Sequence, residues 1–128
     1  MGRNATITIE NKTGCTLRYK SCDVQHGKFN EDPPRSIKNG ESASFKVGNR
    51  TGAKIGPKGT VVYSVEGFSS HAVPSLELEF FWNHPFNAST SVYTVSSIPS
   101  GYSDFNCRPA IPKGHEQTVT LSVELRDV

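Results

Sequence analysis

Four histidines, His26, His71, His84 and His115, are the side chains of this 128-residue chain best suited to metal ligation or proton transfer. They form no H-x-H or H-x-x-x-H pair, and none stands beside a cysteine pair, so no metal site and no cofactor are expected. Glu77 and Glu79 lie two apart, roughly 7 Å along one strand face, a spacing within reach of paired-carboxylate glycoside chemistry. No sugar-binding aromatics accompany them, and two charges on a wet strand face explain them more simply. Gly67-Phe68-Ser69-Ser70-His71 lacks the second glycine of a nucleophile elbow. The stretch from Gly52 to Gly59 has glycines and lysines without the phosphate-loop order or a following helix. No catalytic residues are assigned, and an enzyme is not expected.

The remaining concentration of chemistry is aromatic. Phe80-Phe81-Trp82-Asn83-His84-Pro85-Phe86, followed by a polar loop and Tyr93, holds five of the twelve aromatic residues, with Phe105 near by. Rings with an apolar body and a polar edge beside a loop suit a membrane interface or a sugar. Trp82 shares the parity of Leu76, Leu78 and Phe80, so a regular strand would bury it. Phe86 and Tyr93, at loop and edge positions, are the rings expected to be exposed.

The elements that must carry these residues are strands. Val and Ile number 17 against 5 Leu and 6 Ala, with 25 Ser or Thr and 19 Gly or Pro, which is the composition of strands and turns. Thr6-Ile7-Thr8-Ile9-Glu10 alternates, and Asn11-Lys12-Thr13-Gly14 reads as a turn into Cys15–Lys20, an opening hairpin. Residues 42–47, with Ala43, Phe45 and Val47 inward, 60–65, 76–82, 92–95 and 118–125 continue the period of two. Residues 48–59 read as a long loop. About seven antiparallel strands without a helix predict an all-β, single-domain β-sandwich over residues 1–128.

Composition narrows the function further. A hydrophobic fraction of 34%, a charged fraction of 20% and a net charge of +2 fit neither a disordered chain nor a general nucleic-acid binder. Residues 1–60 carry 11 Lys or Arg and 5 Asp or Glu, whereas residues 61–128 carry 3 and 7. In a compact fold this asymmetry either polarises a face or is cancelled by interleaving of the halves. Cys15, Cys22 and Cys107 are odd in number, and seven residues of regular strand hold Cys15 and Cys22 too far apart to bridge. No leader is visible, so the chain reads as cytoplasmic or exported by a non-classical route, and its sequons at Asn4, Asn11, Asn49 and Asn87 are discounted.

Three blocks carry a resemblance. Phe81-Trp82-Asn83-His84-Pro85-Phe86 with Thr94-Val95-Ser96, then Gly27-Lys28, then Gly56-Pro57-Lys58-Gly59-Thr60 resemble, in order and spacing, the signature segments of the aegerolysin family. Pro33-Pro34 and Pro85-Phe86 are similar to the layout of actinoporin-like cytolysins. The resemblance implies a β-sandwich that binds sphingolipid- and sterol-containing membranes and joins a larger pore-forming protein partner as the lipid-recognition component of a two-component cytolysin. The lipid-binding set it implies, together with the aromatic segment, is His26, Phe81, Trp82, Asn83, His84, Phe86 and Tyr93. His26 stands where the family usually has Trp, His84 where it has Cys, and Ile55 where some members have an acid, departures that bear on lipid specificity more than on fold. Only five residues precede the first expected strand, too few for the amphipathic helix with which actinoporin-like proteins perforate, so binding without self-sufficient perforation is expected. Two further readings use the same residues: a lectin that binds a glycan through the aromatics with Asn83 and Asn87, and an effector that binds a host protein.

Overall fold

In a computed structural model, which describes residues 2–86 and 90–126, ten strands form two five-stranded sheets. In chain order they are β1 (Asn4–Asn11), β2 (Thr16–His26), β3 (Lys28–Glu31), β4 (Ser36–Ile37), β5 (Ser42–Gly48), β6 (Lys58–Glu66), β7 (Glu77–Asn83), β8 (Val92–Ile98), β9 (Ser103–Arg108) and β10 (Glu116–Leu125). One sheet runs β3-β5-β1-β10-β9 and the other β4-β2-β6-β7-β8. No helix occurs among the described residues. The expected sandwich is present. It departs from a purely antiparallel one at β1 and β10, which pair in parallel from Asn4 opposite Glu116 to Asn11 opposite Val123.

Period-two alternation decides the core. In β7, Leu78, Phe80 and Trp82 are buried while Glu77, Glu79, Phe81 and Asn83 face outward, and β1 and β10 alternate in the same way. The two inner faces meet in an interior that includes Ile7, Ile9, Leu17, Phe45, Val61, Tyr63, Leu121 and Val123, none more than 1% exposed. Trp82 packs against Phe45 and Phe29 with ring centroids 5.5 and 5.7 Å away, and Tyr63 packs edge-on to Phe80 at 5.7 Å.

The opening hairpin expected from Asn11-Lys12-Thr13-Gly14 does not form. β1 pairs with β5 and β10, whereas β2 pairs with β4 and β6 in the opposite sheet. The reason lies in Asn11, which is fully buried and uses its whole bonding capacity. Its Nδ2 donates to the carbonyls of Cys15, 2.8 Å away, and Ile37, 2.9 Å away, and its Oδ1 accepts from the Thr13 amide and hydroxyl. Because Ile37 belongs to the other sheet, these bonds tie the turn across the sandwich rather than back onto β1. Asn11 is therefore a structural brace.

Candidate functional site

The register brings one set of strand ends together. Asn4 of β1 lies opposite both Gly48 of β5 and Glu116 of β10, while Lys58 of β6 lies opposite His26 of β2 and Asn83 of β7, and Asn83 opposite Val92 of β8. The turn at Gly27, the loops 49–57 and 109–115 and the segments 84–86 and 90–91 consequently emerge at the same end of the sandwich as the segment before β1. Hydrogen bonds join them. The Arg3 amide donates to Asn49 Oδ1 at 2.8 Å, the Asn49 amide to the Arg3 carbonyl at 3.1 Å, the His84 amide to the Pro57 carbonyl at 3.0 Å, and the Asn4 amide to the His115 carbonyl at 3.0 Å.

Two glycines of the sequence blocks explain how the loops close on one another. A Cβ on Gly56 would sit 1.8 Å from the His84 carbonyl oxygen, and one on Gly59 would meet the Asp23 carbonyl at 2.7 Å and the Trp82 ring at 2.8 Å. Only glycine permits these approaches. The spacing of Gly56-Pro57-Lys58-Gly59 is thus a packing requirement that positions residues 84–86.

Arg3 and His84 organise the centre of this end. The Arg3 guanidinium lies 4.5 Å from the Phe86 ring centroid, donates to the Phe86 carbonyl, and donates to His115 Nδ1 at 2.6 Å. His84 Nε2 is 2.8 Å from the His115 carbonyl, which can only accept, so this nitrogen carries the proton and Nδ1 accepts from the Ser91 hydroxyl 2.9 Å away. Burial pushes the His84 pKa below the usual imidazole value, against the opposing pull of its bond to the His115 carbonyl.

The residues expected to bind lipid divide between this surface and the interior. His26 is exposed at the end of β2; Phe81, Asn83 and Phe86 are half-buried. Trp82, His84 and Tyr93 are 1%, 2% and 4% exposed, so the exposure expected for Tyr93 is not found. Tyr93 lies opposite Trp82 in the β7–β8 register and shares its inward face, and its hydroxyl donates to Gln117 Oε1 at 2.6 Å. An edge strand relaxes parity only when nothing covers it, and here β10 supplies a partner for the ring's polar tip. Phe86 is held beneath Arg3 rather than projecting freely. Asn87 lies outside the described residues.

What the sequence reading missed is a ring of cations and two apolar tips around these residues. Ile111 at 65% and Ile55 at 54% are the most exposed large apolar side chains among the described residues, and both sit in loops at this end. Their local signal was a lone aliphatic residue in a Gly- and Pro-rich stretch, without alternating neighbours. A cleft of about 410 Å³ joins Ile111 to Arg3, Lys113 and His115, and a second of about 440 Å³ joins Phe86 to Lys28, Asn49 and Lys54. A smaller hollow of about 160 Å³ places Arg50 and His26 beside Ile55.

The charge asymmetry is resolved by ends rather than by halves. Of the fourteen lysines and arginines, six form ion pairs with carboxylates, leaving eight without one among the described residues. Six of those eight, Arg3, Lys28, Arg50, Lys54, Lys58 and Lys113, are at the loop end just described. Glu116, which is there too, accepts from Asn4 Nδ2 at 2.7 Å. Glu10, Glu41, Glu66, Asp104 and Glu124 lie toward the opposite end. Cys15, Cys22 and Cys107 are unpaired thiols, and among the described residues no group of three or more His, Cys, Asp or Glu could hold a metal ion.

The profile of the Nakanori-like proteins matches residues 2–122. The crystal structure of the lipid binding protein Nakanori superposes with a TM-score of 0.70 and 18% identity, covering 99% of this chain and 72% of that one. The RahU protein, solved with a Tris molecule, gives a TM-score of 0.70 at 13% identity, covering 98% of this chain and 97% of that one. In sequence, the 23 kDa jasmonate-induced protein of Hordeum vulgare is 34% identical over 87 residues, which are 67% of this chain and 40% of that protein. The chain thus spans well under half of the length of that curated relative.

Proposed function

The chain belongs to the Nakanori-like protein family, and from that premise we propose that it binds membrane lipid, end-on, through loops 49–57 and 109–115 and the segment 84–86 between them. The aegerolysin resemblance carried by its three blocks holds for family and fold. The observation that carries the binding mode is the pairing of chemistry at one end: Ile55 and Ile111 stand out from the surface among unpaired cations, which is the composition of an interfacial anchor. The other exposed large apolar residues, Val92, Ile98 and Phe105, are less exposed.

The finer reading is recognition of sphingolipid- and sterol-containing bilayers, with perforation left to a larger partner protein. Strand length does not decide this, because β2 and β10 are 11 and 10 residues long, enough to span hydrocarbon. Their packing supports it. The apolar face of β10, Val119, Leu121 and Val123, is fully buried against the opposite sheet, and moving it into lipid would dismantle the core. Among the described residues no helix is long and apolar enough to cross a membrane.

Co-sedimentation with vesicles of phosphatidylcholine, sphingomyelin and cholesterol, run in parallel with release of a trapped dye, tests both levels. Binding without release by the protein alone is expected. Dose-dependent release by this chain alone would overturn the two-component reading, and absence of binding alongside capture on a glycan array would favour a lectin, for which the amides of Asn4, Asn30 and Asn49 around the larger cleft offer hydrogen bonds.

A further inference from the structure

We propose that the loop end selects bilayers of net negative charge, with Lys28, Arg50, Lys54 and Lys113 engaging anionic headgroups while Ile55 and Ile111 enter the interface; this rests on the end-on reading above and specifies its partner. The argument begins with where ion pairs are missing. Six lysines and arginines pair with carboxylates, among them Lys12 with Glu10, Arg18 with Glu66, Lys20 with Glu77 and Arg126 with Asp104, and of the eight that do not only Arg35 and Lys38 stand away from this end among the described residues. Lys28, Arg50, Lys54 and Lys113 are exposed and have no carboxylate within 4.0 Å among the described residues. A charge that stays unpaired on its own protein is free to pair with a ligand.

Their placement fits a surface better than a small molecule. Lys28 and Lys54 flank the cleft beside Phe86, Arg50 lies with Ile55 and His26, and Lys113 lies with Ile111 on the far side of Arg3. No single cleft gathers more than two of the four, so the cations are spread around the two apolar tips, as a planar array of headgroups would require. Glu10, Glu66 and Asp104 at the opposite end are matched by Lys12, Arg18 and Arg126, so the unpaired cations here give the molecule a charge axis that turns this end toward a negative surface before contact.

A lysine or arginine held at an anionic leaflet contributes about a fivefold gain in partitioning. These interactions are screened over a Debye length of about 8 Å at physiological ionic strength, so the gain falls with salt. The test compares vesicles of phosphatidylcholine, sphingomyelin and cholesterol with the same vesicles in which a fifth of the lipid is phosphatidylserine, at low and high salt. Phosphatidylserine is expected to raise the affinity about tenfold or more at low salt, with most of the gain lost at high salt. Lys28→Gln with Lys54→Gln is expected to remove most of that gain, read as the ratio of affinities for the two vesicle types, whereas Lys38→Gln, at the opposite end, leaves that ratio as in wild type.

Equal affinity for both vesicle types, or an undiminished phosphatidylserine gain in the Lys28→Gln/Lys54→Gln protein, overturns the proposal while leaving the sphingolipid reading intact. Binding that demands phosphatidylserine and ignores sphingomyelin does the reverse. Full competition by soluble glycerophosphoserine would place a single headgroup in a cleft and overturn the surface form of the proposal.

Discussion

Replacing the two apolar tips, Ile55→Ser with Ile111→Ser, tests the binding mode most directly because neither side chain supports the fold. Fully burying an isoleucine side chain is worth about 1.5–3 kcal/mol. Scaled by the 54% of Ile55 and 65% of Ile111 now exposed, insertion of both contributes about 2–3.5 kcal/mol. At about 1.4 kcal/mol per tenfold, the double variant should bind vesicles roughly 30- to 300-fold more weakly. Its stability should barely move, since exposed substitutions away from bonded networks usually stay within about 0.5 kcal/mol. For a chain of 128 residues the unfolding entropy is about 0.27 kcal/mol per kelvin, so the Tm should shift by less than about 2 °C. Vesicle flotation across a lipid titration and differential scanning fluorimetry read the two quantities separately, and Ile55→Leu with Ile111→Leu, which keeps the apolar volume, should bind like wild type. Vesicle binding within twofold of wild type, with an unchanged Tm, would refute insertion of these loops.

Asn11→Ala removes four hydrogen bonds and deprives the Ile37 carbonyl of a donor and the buried Thr13 amide of its acceptor, while the Cys15 carbonyl keeps the Thr13 hydroxyl at 3.1 Å, which should cost about 2–4 kcal/mol and lower the Tm by roughly 7–15 °C in the same thermal assay. Gly56→Ala forces a methyl group to within 1.8 Å of the His84 carbonyl, so the backbone of residues 84–86 must shift. It should destabilise by about 1–3 kcal/mol and also weaken vesicle binding, unlike Asn11→Ala at the opposite end, measured at a temperature where both remain folded. The lowered pKa of His84 means that the unfolded chain binds more protons than the folded one between the folded value and about 6.5, so stability rises with pH through that interval. The stabilisation is complete above about 6.5 and lost as pH falls through the folded value; urea unfolding in a pH series should show this acid limb, and His84→Gln should diminish it.

The local pattern of apolar and polar residues determined a great deal by itself. Alternation in 76–82, 118–125 and 42–47 identified β7, β10 and β5 and their buried faces, because a strand's two faces are set by consecutive residues and need no knowledge of neighbours. The three glycine- and proline-bearing blocks carried the family, since close backbone approaches tolerate few residue types. β9 escaped notice because its side chains are largely exposed and leave no apolar alternation to read, and β3 and β4 because four and two residues are too short to establish a period. Three outcomes belonged to the tertiary structure. Asn11 is indistinguishable from an ordinary turn residue until the Ile37 carbonyl from the other sheet comes within reach of its side chain. Tyr93 has the sequence surroundings of an edge residue, yet Gln117, 24 positions away, gives its hydroxyl a buried partner. The loop-end surface exists only because Arg3, Lys28, Lys54, Ile55, Ile111 and Lys113, spread over most of the chain, sit beside strand ends that the non-local pairing of β1, β5 and β10 and of β2, β6, β7 and β8 brings together. Faces are a property of adjacent residues, whereas ends are a property of the whole topology, and the proposed lipid surface is built at an end.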